Sequence, residues 1–321
     1  MRISQMQEQR TQVGELQRLA VEMARERFRI SSGRALEQAC DDPLLSVRAM
    51  DVKRRLGTES IWLENIQELD SRLSLEETLL SRCIELLDDL YSTLMQAHNG
   101  AMSPSDTAAL AASVRAAYDS FITTINTHDT EGIYLFGGAR SFTPPVTLAP
   151  DGAVQENHDQ GGPVQIMVAQ GLWMDGVDTA ESVFFRIPIE ERTPSCPQVS
   201  VIEGITFSVL TLLSTAEAVL LDSSAADFQQ RLVGCMTLGR QASSHLLKVQ
   251  TALGGRMKRL EQLTASQRQI QLYSQRLLGQ LQDLDYPASI ARINQLEMAT
   301  EAARKTLAHI SQASFFQQIQ P

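Results

Sequence analysis

The sequence predicts a mainly α-helical protein: a long antiparallel helical rod, in effect a coiled-coil bundle built from both ends of the chain, with a small β-rich insertion at its tip. Three observations carry that expectation. Over residues 228–284, stepping alternately four and three, the chain meets Phe228, Leu232, Cys235, Gly239, Ala242, Leu246, Val249, Leu253, Arg256, Leu260, Leu263, Gln267, Ile270, Ser274, Leu277, Leu281 and Leu284. Only Gly239, Arg256, Gln267 and Ser274 break that apolar row, and a 3.5-residue repeat sustained so long implies one helix with a continuous sticky seam. A second row, Trp62, Ile66, Leu69, Leu73, Glu76, Leu80, Cys83, Leu87, Leu90 and Leu94, is broken only at Glu76. Between the rows the period changes, and seven of the eleven prolines fall in residues 144–197. At about 1.5 Å per residue the first row makes a helix roughly 90 Å long, which must be covered by helices of the same chain or of a neighbour.

In chain order, Ile3, Met6, Val13, Leu16, Ala20, Met23 and Ile30 recur at helical spacing. That stripe is thin, so the helix is marginal alone and needs a partner. Ser31-Ser32-Gly33 ends it, glycine accepting the left-handed residue of a helix stop. Asp41-Asp42-Pro43 reads as a cap with proline at the first helical position. The row containing Trp62 closes at His98-Asn99-Gly100. Ser103-Pro104-Ser105-Asp106 restarts a helix carrying Leu110, Val114, Ala117, Phe121 and Ile125, which the short connection makes an antiparallel neighbour. From Thr130 the runs 164–169, 183–189 and 199–207 read as strands separated by turn clusters. Helical period resumes over 207–221 and leads into the long row. Asp285-Tyr286-Pro287 stops it, and Ala288-Ser289 opens a last helix striped by Ile290, Ile293, Leu296, Ala303, Leu307 and Ile310, with Phe315 and Phe316 near its end. The expected divisions are 1–45, an N-terminal helix pairing with 288–321; 46–145, rod helices and a hairpin; 146–206, the insertion; 207–286, rod helices; and 287–321, a C-terminal helix.

Composition narrows the function classes. A formal charge of −10 over 321 residues argues against a general nucleic-acid binder, which needs a basic face. No run of about 18 apolar residues suggests a membrane span, and residues 1–10 lack the apolar core of a secretory signal. The acidity sits mainly in residues 144–205, with nine acids against Arg186 and Arg192. Cys40, Cys83, Cys196 and Cys235 are far apart and form no CxxC pair, so buried thiols are expected rather than a disulfide framework.

Local motifs supply a resemblance. Arg29-Ile30-Ser31-Ser32-Gly33-Arg34 with Asp41-Asp42-Pro43, then Asn99-Gly100 before Ser103, Tyr134-Leu135-Phe136-Gly137-Gly138, and Leu253-Gly254-Gly255-Arg256-Met257-Lys258-Arg259-Leu260-Glu261 are similar to signatures of the bacterial flagellin superfamily. The four cysteines and the ending Ser314 to Pro321 depart from that family's usual pattern. Where filament subunits carry an Asp-Asp-Ala-Ala stretch and an Asn-rich segment, this chain has Asp42-Pro43 and residues 63–69. The resemblance therefore points to the members that join hook to filament as a polymerised structural adaptor, with a flagellin-type filament subunit as the alternative. It implies an assembly surface on the terminal helices (Ile3, Met6, Val13, Leu16, Met23, Ile30, Ile293, Leu296, Leu307, Ile310, Phe315). It also implies a rod core (Trp62, Ile66, Leu69, Leu73, Leu80, Leu87, Leu94, Leu246, Val249, Leu253, Leu260, Leu263, Ile270, Leu277) and a β-hairpin begun by Phe136, Gly137 and Gly138. The implied partners are other copies in a ring, a hook-associated protein on the hook side, flagellin on the filament side and a cytosolic export chaperone. The implied location is the extracellular flagellum, reached without a cleaved signal. The thin terminal stripes further suggest that residues 1–40 and 289–321 order only on assembly.

No catalytic constellation, cofactor site or metal site is expected. His98, His128, His158, His245 and His309 lack ligand spacing. Asp175-Gly176-Val177-Asp178 lacks the ligand series of a calcium loop. Gly254-Gly255 has no following GK[ST] and reads as a tolerated weak point in a helix. Arg256 and Glu76 are either polar register-setters or long side chains reaching out to water.

Overall fold

The computed structural model describes residues 2–36, 41–100, 102–129, 132–149, 154–189 and 206–319, without the side chains of 2–6, 8–9 and 310–319. Among the described residues α-helices run in the order α1 (Arg2–Ser32), α2 (Pro43–Asn99), α3 (Pro104–Ile125), α4 (Val209–Leu221), α5 (Phe228–Gln282) and α6 (Tyr286–Ile319). The short strands described between α3 and α4 are β1 (Val146–Leu148), β2 (Val154–Glu156), β3 (Gln165–Ala169), β4 (Leu172–Asp175), β5 (Ile187–Pro188) and β6 (Thr206–Phe207). The chain forms two compact units, Met1–Ser60 with Gln269–Pro321, and Ile61–Arg268. The divisions fall inside α2 and α5, each of which runs on as one helix across its boundary. None of the described helices is long and apolar enough to cross a membrane.

The helix ends follow local chemistry. Gly33 takes φ 68° and its N–H donates to Arg29 O at 2.9 Å. Asp42 Oδ1 accepts from the N–H groups of Leu44 and Leu45, both at 3.0 Å, and so caps α2. Ser103 and Asp106 form a reciprocal capping box on α3. Two boundaries differ from the sequence reading. Gly100 ends α2 without adopting positive φ. Asp285 does not merely stop a helix: its Oδ1 accepts from Ala288 N–H at 3.1 Å and caps α6, whose first turn tolerates Pro287 because no N–H is needed there.

In the Ile61–Arg268 unit, α2 and α5 run antiparallel in constant register. Gln250 Nε2 donates to Ser81 Oγ at 2.9 Å, Ser243 Oγ to Asp88 Oδ1 at 3.4 Å, and the Arg240 guanidinium lies 4.5 Å over the Tyr91 ring. Each pair sums to the same residue number, so the two heptad rows face each other without slippage. The helix α4 is apolar nearly all round and accordingly buried along its length. It packs closely on α3, where small residues such as Ala111 and Ala216 let the backbones approach.

Among the described residues the insertion contains three two-stranded antiparallel pairs, β1–β2, β3–β4 and β5–β6, with no pairing between them. Residues 183–189 correct the strand expectation: Glu181–Phe185 is a single π-helical turn, and only Ile187–Pro188 pairs as a strand. Val183, Phe184 and Phe185 are all fully buried. Three consecutive inward side chains suit a helical turn, whereas a strand with a wet face would send the middle one out. Of the expected strand 199–207, only Thr206–Phe207 lies within the described residues.

Candidate assembly surfaces and a buried polar cluster

The terminal helices α1 and α6 pack along each other within the first unit. Their ends are stitched by an antiparallel bridge of Arg34 with Asp283, by Ala35 N–H to Gln282 O at 2.8 Å, and by Leu284 N–H to Gly33 O at 3.0 Å. The seam repeats four and three on both helices. Leu16, Leu19, Met23 and Ile30 of α1 face Ser289, Ile293, Leu296, Thr300, Ala303 and Leu307 of α6, and all are buried or half-buried. Arg27 reaches Glu297 at 3.2 Å across its flank. Six residues expected on a surface shared with neighbours (Leu16, Met23, Ile30, Ile293, Leu296, Leu307) therefore meet inside the chain. Leu19, which the sequence reading omitted, is buried with them, while Val13 lies outside the seam and is exposed. The side chains of Ile3, Met6, Ile310 and Phe315 lie outside the described residues. Cys40 and Cys196 do too.

Among the described side chains of α1 and α6, only Leu19 and Leu296 are buried apolar residues. The apolar surface left open is a different set: Val21 and Phe28 opposite the α1 seam, Ile290 and Met298 on α6, and Leu44, Val47 and Met50 on the first turns of α2. Met50 is 68% exposed and its neighbours nearly as much, while Ala49 and Val52 cover the opposite, buried face. Leu44, Val47 and Met50, at helical spacing, put three large apolar side chains in water on one short stretch of α2, more than the scattered exposure usual on a monomer. They were missed because periodicity finds one stripe per helix, and Val21 and Phe28 are too few to make a second one on the described part of α1.

In the long rows, Ile66, Leu69, Leu73, Leu80, Leu87 and Leu94 of α2 and Leu246, Leu253 and Leu260 of α5 are fully buried. Trp62, Val249, Leu263 and Leu277 are half-buried. Ile270 corrects the reading: it is 44% exposed, while Gln267 and Ser274 on either side are buried. Beyond Leu260 the buried positions of the row are Gln267 and Ser274, while Leu263 and Leu277 are half-buried and Ile270 opens to solvent. Ser274 Oγ is spent on Glu59 Oε1 at 3.2 Å. Cys83 and Cys235 are fully buried thiols, and burial pushes Cys83 up to about 12, which leaves it unreactive at neutral pH. Gly254 and Gly255 are exposed, and a Cβ on either would meet nothing within 4 Å. Replacing both with alanine is expected to raise the unfolding free energy by about 1 kcal/mol each, measured as a higher urea midpoint.

The residues Phe136, Gly137 and Gly138 do not start a β-hairpin. The reversal before them is closed by a single bridge of His128 with Tyr134, and Gly138 opens a one-turn 3-10 helix, Gly138–Arg140. Ladder pairing is blocked because the backbone is engaged elsewhere. Ala139 N–H is shared between Gln160 O at 2.9 Å and Gly162 O at 3.0 Å, and Phe136 O accepts from Ala180 N–H at 3.0 Å. Phe136 is fully buried edge-on against Phe184, ring centroids 5.3 Å apart. The motif thus locks the insertion to the helices.

Glu76 and Arg256, which interrupt the two rows, are brought together by a third residue. Arg256 clamps the Asp178 carboxylate with both terminal nitrogens, and its Nη1 also donates to Gly176 O at 2.8 Å. Glu76 is fully buried and its Oε1 accepts Asp178 N–H at 3.2 Å. Arg256 therefore neither points out to water nor pairs across the seam. It anchors the turn after β4. Asp175 Oδ1 is occupied by Gln165 Nε2 at 2.9 Å, so both carboxylates of this turn are engaged by protein groups, and the described residues contain no group of three or more metal-ligating side chains. Arg256→Leu leaves two carboxyls facing each other without a cation. The expected loss is on the order of 2 kcal/mol in chemical denaturation.

Residues 3–141 match the family model of the bacterial flagellin N-terminal helical region. Over 299 residues the chain is 24% identical to flagellar hook-associated protein 3 of Escherichia coli K12, covering 90% of each chain. The fold is shared with flagellar hook associated protein-3 from Legionella pneumophila, at a TM-score of 0.61 and 20% identity over 72% of this chain and 98% of that one. It is shared too with the flagellar junction protein FlgL from Legionella pneumophila, at a TM-score of 0.54 and 20% identity over 67% and 99%.

Proposed function

We propose that the chain is a structural junction protein of the bacterial flagellum, polymerising between hook and filament as an adaptor. The observation that carries this reading is the open apolar surface of the unit formed by the two chain ends: Val21, Phe28, Leu44, Val47, Met50, Ile290 and Met298. A surface of this kind gains stability when a neighbour removes it from water, at about 25 cal/mol per Å². The likeness to hook-associated protein 3 over nine-tenths of both chains supports the same role.

In this reading copies of the chain form a short ring. One side of the ring contacts a hook-associated protein and the other contacts flagellin, while the insertion faces solvent. The molecule is then a component of the extracellular flagellum, delivered by the flagellar type III route. Before assembly its amphipathic ends need cover, which a cytosolic export chaperone holding the α6 stripe would provide. Deleting the gene and imaging the cells tests the reading. Hooks without filaments, with filament protein released into the medium, are expected. Normal filaments on intact hooks would refute it.

A further inference from the structure

Glu76 is an acid with no exposed surface, set in the middle of an apolar heptad row. The charged groups that bear on it come from two other elements. Asp178, in the turn after β4, presents its backbone N–H at 3.2 Å and its carboxylate close by, and Arg256 approaches from α5. On α2 itself Glu77 points to solvent, and Lys258 and Arg259 of α5 are exposed. Arg256 has already committed both terminal nitrogens to Asp178 and to Gly176 O. Counting charges, one guanidinium balances one of the two carboxyls. The second is balanced only if it carries a proton.

We infer that Glu76, Asp178 and Arg256 form a proton-controlled clasp that fastens residues 176–178 of the insertion to α2 and α5, closed while Glu76 is neutral and loosened when it ionises. Ionised Glu76 would be a buried negative charge facing the Asp178 carboxylate, stabilised by a single backbone N–H. Its Oε2 has no hydrogen-bond partner. Burial first, and the Asp178 charge second, push its pKa up to about 8, against the opposing pull of Arg256. The folded state therefore holds this proton more tightly than the unfolded chain does. The stability this contributes is complete below the ordinary carboxylate range and is lost as pH rises through about 8. The turn has little slack: Gly176 N–H is bonded to Val164 O at 2.8 Å, so loosening at Asp178 is transmitted to the edge of β3.

The direct test is a carboxyl-carbon NMR titration of the full chain labelled at glutamate. One glutamate titrating near pH 8, absent from the spectrum of Glu76→Gln, is expected, and all glutamates titrating near their ordinary value would overturn the inference. A second measurement reads the consequence. Amide exchange at Asp178, corrected for the intrinsic pH dependence, should accelerate at least tenfold between pH 6 and pH 9 in the wild type. In Glu76→Gln, which keeps an oxygen acceptor for that N–H but cannot ionise, it should not change. If Glu76→Gln folds poorly, Asp178→Asn serves instead. It frees Arg256 to balance Glu76, so the titration should move well below pH 7. A titration that stays near pH 8 in Asp178→Asn would also overturn the clasp.

Discussion

Gly138→Ala is expected to lower the unfolding free energy of the Ile61–Arg268 unit by on the order of 4 kcal/mol, enough to leave much of the protein unfolded at 37 °C. Two effects add. Gly138 holds φ 59°, a conformation that costs an L-residue about 1 kcal/mol. A Cβ there would also lie 2.7 Å from both Gln160 O and Gly162 O and 2.8 Å from Thr179 Cγ2. Those two carbonyls are the ones Ala139 N–H bonds, so relieving the clash breaks the contacts that hold Phe136 in its pocket. Gly162→Ala is the control, because Gly162 has φ 79° but open space around its Cβ position. Urea unfolding followed by circular dichroism should show a loss of only about 1 kcal/mol for Gly162→Ala. Equal losses at the two positions would mean that dihedral strain alone matters and that the close approach does not.

Val47→Asp with Met50→Asp is expected to abolish filament attachment while leaving the folded chain as stable as the wild type, within about 0.5 kcal/mol. Both side chains stand in solvent in the single chain, so a charge there meets water and not the core. In an assembled ring the same charges would be desolvated against an apolar neighbour, at several kcal/mol per subunit, repeated around the ring. Cells carrying the double variant should secrete filament protein into the medium and lose motility. Leu148→Asp, an equally exposed apolar position on β1 of the insertion, should leave attachment intact. If Leu148→Asp abolishes attachment and the α2 variant does not, the assembly surface lies on the other unit.

Much of this was legible in the sequence because long helices repeat one rule many times. The rows through Leu69 to Leu94 and Leu232 to Leu260 declare their buried face at every heptad, and Asp42-Pro43 and Ser103-Pro104-Ser105-Asp106 mark their own helix starts. Where the covering thins, the rule misleads: Ile270 keeps the apolar pattern after its cover has gone, while Ser274 is buried through its bond to Glu59. The run containing Val183 to Phe185 reads as β-prone by residue type. Its conformation is decided by three aromatic or branched side chains all finding the same core, which is tertiary information. The polar cluster was half visible. Glu76 and Arg256 stand out as interruptions, but Asp178, which joins them, lies 102 residues from Glu76 and 78 from Arg256. The terminal helices gave their inner seam and hid their outer face, since the residues that close α1 on α6 are more regular than those left open.

In the proposed junction role the chain ends are completed by neighbours. Among the described side chains of these helices of 31 and 34 residues, only Leu19 and Leu296 are buried apolar residues and the other apolar residues of the seam are half-buried, a small gain against the entropy of ordering them. Hydrogen exchange on the purified single chain and on hook–filament preparations measures this directly. The expected result is rapid exchange throughout α1 and α6 in the free chain, slow exchange over the rows of α2 and α5 within residues 61–268, and strong protection of α1 and α6 once assembled. Protection of α1 and α6 in the free chain equal to that of the rows, unchanged on assembly, would contradict it.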